Sequence, residues 1–169
     1  MTPLSRFLGL FPALHLLVLA DAALGLLRAP GWGSLAFLAF ALYLLPPLAY
    51  RLHERLRPLE QGVSHLDGEG YSSWWGGHQI QSLYFAAPVL EALLRLVPGV
   101  YSSWLRLWGS SVGKGVYWTP RVELADRGLM EIGDGVIFGH KVECFAHVIK
   151  PKNGRLILYA RRIIIGPGS

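Results

Sequence analysis

The chain has 169 residues, 52% of them hydrophobic and 16% charged, with a formal net charge of +5. That balance is too apolar for a disordered segment and unusual for a soluble domain, so association with membrane lipids is the first expectation. The Lys and Arg residues form no dense stripe interleaved with aromatics, so the charge is expected to face lipid head groups or anionic small molecules, with no nucleic acid partner.

Phe7 to Leu27, FLGLFPALHLLVLADAALGLL, is long enough to cross a hydrocarbon core and is interrupted by only two strongly polar residues, His15 and Asp21. A second uncharged stretch, Trp32 to Tyr50, carries Pro46 and Pro47, which should kink or end a helix near the interface. Together they predict a transmembrane helical hairpin over residues 1–58. The following RLHERLR contributes three arginines, which by the positive-inside bias puts both termini and the remainder of the chain on the cytoplasmic side. The competing reading is a cleaved signal peptide over residues 1–22, with small residues around Asp21.

Residues 59–110 are expected to form linkers and amphipathic helices lying at the membrane interface. Between 79 and 107, Gln81, Glu91 and Arg95 keep one stripe polar, and Glu91 can pair with Arg95 at i,i+4 spacing. Tyr71-Ser72-Ser73-Trp74 recurs as Tyr101-Ser102-Ser103-Trp104; each copy offers a serine N-cap and aromatics suited to head-group level.

From Val112 the period changes to six, in the units VGKGVY, WTPRVE, IGDGVI, FGHKVE and CFAHVI, with an incomplete IGPGS from Ile165. The first position is apolar throughout, Gly is common at the second, and the fifth is Val116, Val122, Val136, Val142 and Val148 in turn. Such units read as short strands with tight corners, the first residue pointing inward. Two extra residues fall between Leu124 and Ile132, and KPKNGRLILYARRII precedes Ile165. Cys144, the single cysteine, occupies an inward position and should be a small core residue; it excludes an internal disulfide framework and fits a reducing compartment.

These units, IGDGVIFGHKVECFAHVI above all, resemble the hexapeptide-repeat acyltransferases. The resemblance implies a membrane-associated helical half followed, over 111–169, by a left-handed parallel β-helix that looks truncated at Ser169. It further implies a homotrimer with sites between subunits and acetyl-CoA or another acyl-CoA as co-substrate, without a bound cofactor or metal. The acyl group would pass to a hydroxyl or amine of a glycan, lipid-linked or amino-acid-derived acceptor. His147 matches the position of the general base, which needs an imidazole titrating near neutrality within reach of the acceptor. His140 is the candidate for orienting substrate, and Lys150, Lys152, Arg161 and Arg162 are candidates for receiving coenzyme phosphates. Two alternatives carry different expectations: a non-catalytic, membrane-anchored scaffold, and a zinc-dependent carbonic anhydrase-like protein, for which His140 and His147 fall short of three imidazoles per metal within one chain.

Overall fold

The computed structural model describes residues 2–68 and 70–169. Helix α1 (Pro3–Gly9) starts at Thr2, whose side chain accepts from the Ser5 amide, and leads almost directly into α2 (Phe11–Arg28). Together Pro3–Arg28 is long and apolar enough to cross a membrane, and only 11% of its most apolar stretch is buried, unlike the core helix of a soluble protein. Helix α3 (Trp32–Tyr43) packs back on α2, and His15 Nε2 meets the Ala41 carbonyl at 2.9 Å. His15 thereby ties the two helices together.

Helix α4 (Leu45–Leu56) continues from α3 after a 44° bend at Leu44. The cause is chemical. Pro46 and Pro47 have no N–H to offer the carbonyls four residues back, those of Leu42 and Tyr43. Both carbonyls are satisfied from elsewhere: Tyr84 OH donates to Leu42 O at 2.5 Å and Trp104 Nε1 to Tyr43 O at 2.8 Å. The bend is therefore locked by the helices that follow.

After strand β1 (Gly62–His65), helix α5 (Ser73–Ala86) is capped by Ser72, whose hydroxyl accepts from the Trp75 amide. It crosses close to α4 because Gly76 and Gly77 have no side chain: a Cβ on Gly76 would sit 2.7 Å from His53 Nε2. Helices α6 (Val89–Arg95) and α7 (Val100–Trp108) follow. The second Tyr-Ser-Ser-Trp copy lies inside α7, which is capped instead by Gly99 at φ 78°, and its Tyr101 and Trp104 are buried in the core rather than at a head-group level.

The remaining chain forms short strands: β2 (Ser111–Val112), β3 (Tyr117–Trp118), β4 (Glu123–Leu124), β5 (Met130–Ile132), β6 (Ile137–Phe138), β7 (Glu143–Cys144), β8 (His147–Lys152), β9 (Arg155–Ala160) and β10 (Ile163–Ile165). Parallel pairing joins Val112 to Ile132, Trp118 to Phe138 and Leu124 to Cys144, a constant offset of 20 residues. Trp118 and Phe138 stack with centroids 4.3 Å apart. The left-handed parallel β-helix expected from the six-residue period is not what forms. The strands make small, separate sheets, ordered β10-β5-β2, β3-β6 and β4-β7, beside an antiparallel sheet ordered β1-β9-β8. Two insertions account for this. Ala125–Leu129 interrupts the phase with a buried corner loop, and after Cys144 the chain turns at Asn153-Gly154, both with positive φ, into the β8–β9 hairpin. Val148, the fifth residue of its unit, is consequently 46% exposed, where Val122 and Val136 at the same position are buried, and Ala146 is the buried residue there.

One core unites the halves: Tyr50 of α4, Ile80 and Tyr84 of α5, and Tyr101, Trp104, Leu105 and Trp108 of α7 pack on the inward residues of the strand region, including Cys144. Desolvation pushes the Cys144 thiol pKa up, as befits a core residue. Where the strand layers meet, a Cβ on Gly133 would lie 2.5 Å from the Pro167 nitrogen. Backbone gives little, so Gly133→Ala should destabilise the fold by about 1–3 kcal/mol, measurable as a lowered Tm; an unchanged Tm would show that the layers can separate freely.

Candidate functional site

The corner loop Ala125–Leu129 brings the Asp126 carboxylate, 3% exposed, under the start of β8. His147 Nδ1 lies 2.7 Å from Asp126 Oδ2, the same oxygen that accepts the Ala146 amide at 2.9 Å. The other carboxylate oxygen accepts from Trp74 Nε1 at 3.1 Å. A carboxylate so fully occupied cannot turn, and as an acceptor it puts the neutral imidazole's proton on Nδ1. The lone pair is then on Nε2, which has no protein partner among the described residues, and the side chain remains 15% exposed. The arrangement is an oriented imidazole with its basic nitrogen toward solvent.

Helix α5 supplies the floor. Trp74, His78, Gln81 and Phe85 fall at i, i+4, i+7 and i+11, one face of a helix. Trp74 packs against His147 at 4.6 Å between centroids, His78 stacks on Trp74 at 4.9 Å and on Phe85 at 4.9 Å, and His78 lies 6.2 Å from His147. Phe145 approaches His147 from the other side, at 6.3 Å. The His78 pKa is lowered, first by desolvation and then by the neighbouring His147, and its Nδ1 is buried without a hydrogen-bond partner.

A histidine whose folded pKa lies below its ordinary value of 6.5 binds fewer protons folded than unfolded. Its contribution to stability is complete above that value and is lost as the pH falls below it. Asp126, which favours the protonated ring, and Arg127, which opposes it, are the other charged groups acting on it. His78→Phe keeps the aromatic stack and removes the titration, so it should flatten the acid side of a Tm-against-pH curve. An equally steep fall in the variant would assign the acid sensitivity to other groups.

Of the other residues singled out in the sequence, none joins this cluster. His140 is exposed and is not among the side chains that meet His147. Lys150 and Lys152 are exposed on β8, on the face opposite His147 by the two-residue alternation. Arg161 is exposed and its amide donates to the Ala146 carbonyl, while the Arg162 amide donates to Gln61 Oε1. Conversely, Asp126 and His78 have no place in the sequence expectations, and Trp74 enters them only as an aromatic at head-group level. Asp126 lies in the loop that breaks the six-residue phase, and the i, i+4, i+7, i+11 spacing on α5 was the visible trace of the other two. No protein-family model, curated protein or solved structure matches the chain.

Proposed function

We propose that the chain is an acyltransferase in which His147 is the general base and Asp126 its positioning residue. The observation that carries this reading is the 2.7 Å contact between His147 Nδ1 and a buried carboxylate already held by Trp74 and the Ala146 amide. In the proposed reaction an acceptor hydroxyl or amine gives its proton to His147 Nε2 as its oxygen or nitrogen bonds to the carbonyl carbon of an acyl thioester. The C–S bond then breaks, and the departing thiolate takes the proton back from the imidazolium. The donor of choice is acetyl-CoA or a related acyl-CoA; of the cations offered for its phosphates, exposed Arg161 and half-buried Arg162 follow the hairpin, whereas Lys150 and Lys152 lie on the face of β8 opposite His147 and would be met only by a donor that wraps around the strand.

The assay is release of free coenzyme A thiol from acetyl-CoA by the full chain in detergent. Release should depend on an added hydroxyl or amine acceptor. Thiol release that is indifferent to every acceptor class would overturn acyl transfer.

The same proposal places the protein in a membrane as a two-helix hairpin, α1–α2 out and α3–α4 back, with the site on the cytoplasmic side. It rests on the lipid-ready surface of Pro3–Arg28 and on the arginines Arg51, Arg55 and Arg57 at the end of α4. A cysteine-reactive probe that cannot cross the membrane should fail to label a cysteine introduced at exposed Lys152 in sealed, outward-facing cells. Labelling there before lysis would reverse the sidedness.

A further inference from the structure

Beside the His147 cluster lies a cavity of about 180 Å³, lined by Phe85, which stacks on His78, and by Phe145, which approaches His147. Its polar wall is a buried charge cluster. Glu91 Oε1 accepts from Arg127 Nε at 2.8 Å and from Arg127 Nη2, and Oε2 accepts from Arg95 Nη2 at 2.8 Å and Tyr101 OH at 2.5 Å. The Arg95 and Arg127 side chains are each 2% exposed. Two guanidiniums thus share one carboxylate with almost no side-chain surface exposed. A buried charge left uncompensated is costly, and the surplus here is positive.

The hydrogen-bond inventory agrees. Each guanidinium carries five N–H donors. Among the described residues, the Arg127 guanidinium reaches, besides Glu91, only Gln81 Oε1, at 3.3 Å, and Arg95 reaches the Pro120 carbonyl and the Tyr101 hydroxyl. Arg95 Nε is buried with no partner. Both guanidiniums are also held flat, Arg127 over the Phe85 ring at 4.8 Å and Arg95 over Tyr101 at 4.1 Å, so they are preorganised before any ligand arrives. One further charge borders the cavity: Glu123, exposed on β4. Its carboxylate at the rim opposes a dianion, while a monoanion still meets the inner arginines. The remaining walls combine the rings of Tyr84, Phe85 and Phe145 with aliphatic residues such as Pro88, Val122 and Leu124.

We infer that this cavity is a subsite for a monoanionic carboxylate joined to an apolar or aromatic body. The carboxylate sits against Arg95 and Arg127, and the body lies along Phe85 and Phe145 toward His147. Resting on the proposed acyl transfer, this makes the acceptor a carboxylate-bearing small molecule whose nucleophilic end reaches Nε2.

The test is titration calorimetry on the full chain in detergent with phenylacetate, phenylethanol and inorganic phosphate, without any acyl donor. Phenylacetate should bind, with phenylethanol and phosphate at least roughly tenfold weaker, the scale of one charge-assisted hydrogen bond. Arg95→Gln should weaken phenylacetate by a similar factor. Because Arg95 is built into the core, the exposed Glu123→Gln provides the independent arm: it should tighten phenylacetate and bring phosphate into range. Equal binding of phenylacetate and phenylethanol, or a Glu123→Gln profile identical to the parent, would overturn the subsite. Because binding is read without turnover, a protein that binds phenylacetate as expected yet transfers no acyl group would sink the enzymatic reading and leave the subsite standing.

Discussion

His147→Ala should lower acyl transfer by about 10²- to 10⁴-fold, the usual contribution of a positioned general base, with the apparent KM for the acyl donor little changed. The substitution removes one partly exposed ring packed on Trp74, and the adjoining Val148 points to solvent, so the fold has little reason to suffer. A matched Tm therefore belongs to the expected result, and full turnover by a folded His147→Ala variant would end the proposal. Asp126→Asn separates orientation from mere structure. An amide offers one acceptor oxygen where the carboxylate now serves Trp74, Ala146 and His147 with two, and its NH₂ group places a donor against a donor. The imidazole then loses its fixed tautomer, and kcat should fall while KM holds. A fall in Tm with kcat unchanged per folded molecule would make Asp126 purely structural.

The largest stability effect is expected at Glu91. Glu91→Ala strands two buried guanidiniums and the Tyr101 hydroxyl at once, and loss of one member of a buried ionic set costs about 3–5 kcal/mol. Thermal or denaturant unfolding in detergent measures it. The companion variant is the informative one: Glu91→Leu with Arg127→Met removes the pair together and should cost less than the two single changes added, because only Arg95 then loses its carboxylate, where Glu91→Leu alone strands both guanidiniums. Strict additivity would show that the carboxylate and the guanidinium do not depend on one another.

Local signals in the sequence translated well wherever the partner lay nearby. Adjacent prolines bend a helix because they delete two donors, and the bend at Leu44 follows. The Glu91–Arg95 spacing does produce an ion pair, yet its meaning changes with its surroundings. Read alone it suggested the wet stripe of an interfacial helix; in the fold it is buried, because Arg127, 36 residues later, arrives to share the carboxylate. The same limit applies to the site. His147 stood out as a candidate through its place in a repeat that resembles the acyltransferases, whereas its partner Asp126 stands 21 residues away in a loop marked only by its break in the pattern. Counting sixes also carried the phase past Cys144, although Asn153-Gly154 between alternating residues is a hairpin signal, and a hairpin cannot keep a parallel period. The β-helix expectation failed there, where short-range turn chemistry overrode a longer rhythm.

The bond from Trp74 to Asp126 has an implication for how this chain can be divided. Trp74 belongs to α5, which rests on α1, α2 and α4, so the carboxylate that orients His147 is itself tied to the N-terminal helices. Composition invites a cut near residue 110, between an oily anchor and a portable strand domain. Such a cut would leave the imidazole attached to its strand but remove the tryptophan holding its orienting group, along with the aromatic face beneath it. The N-terminal helices and the candidate site form one unit, and a shortened version would have to carry α5 with it.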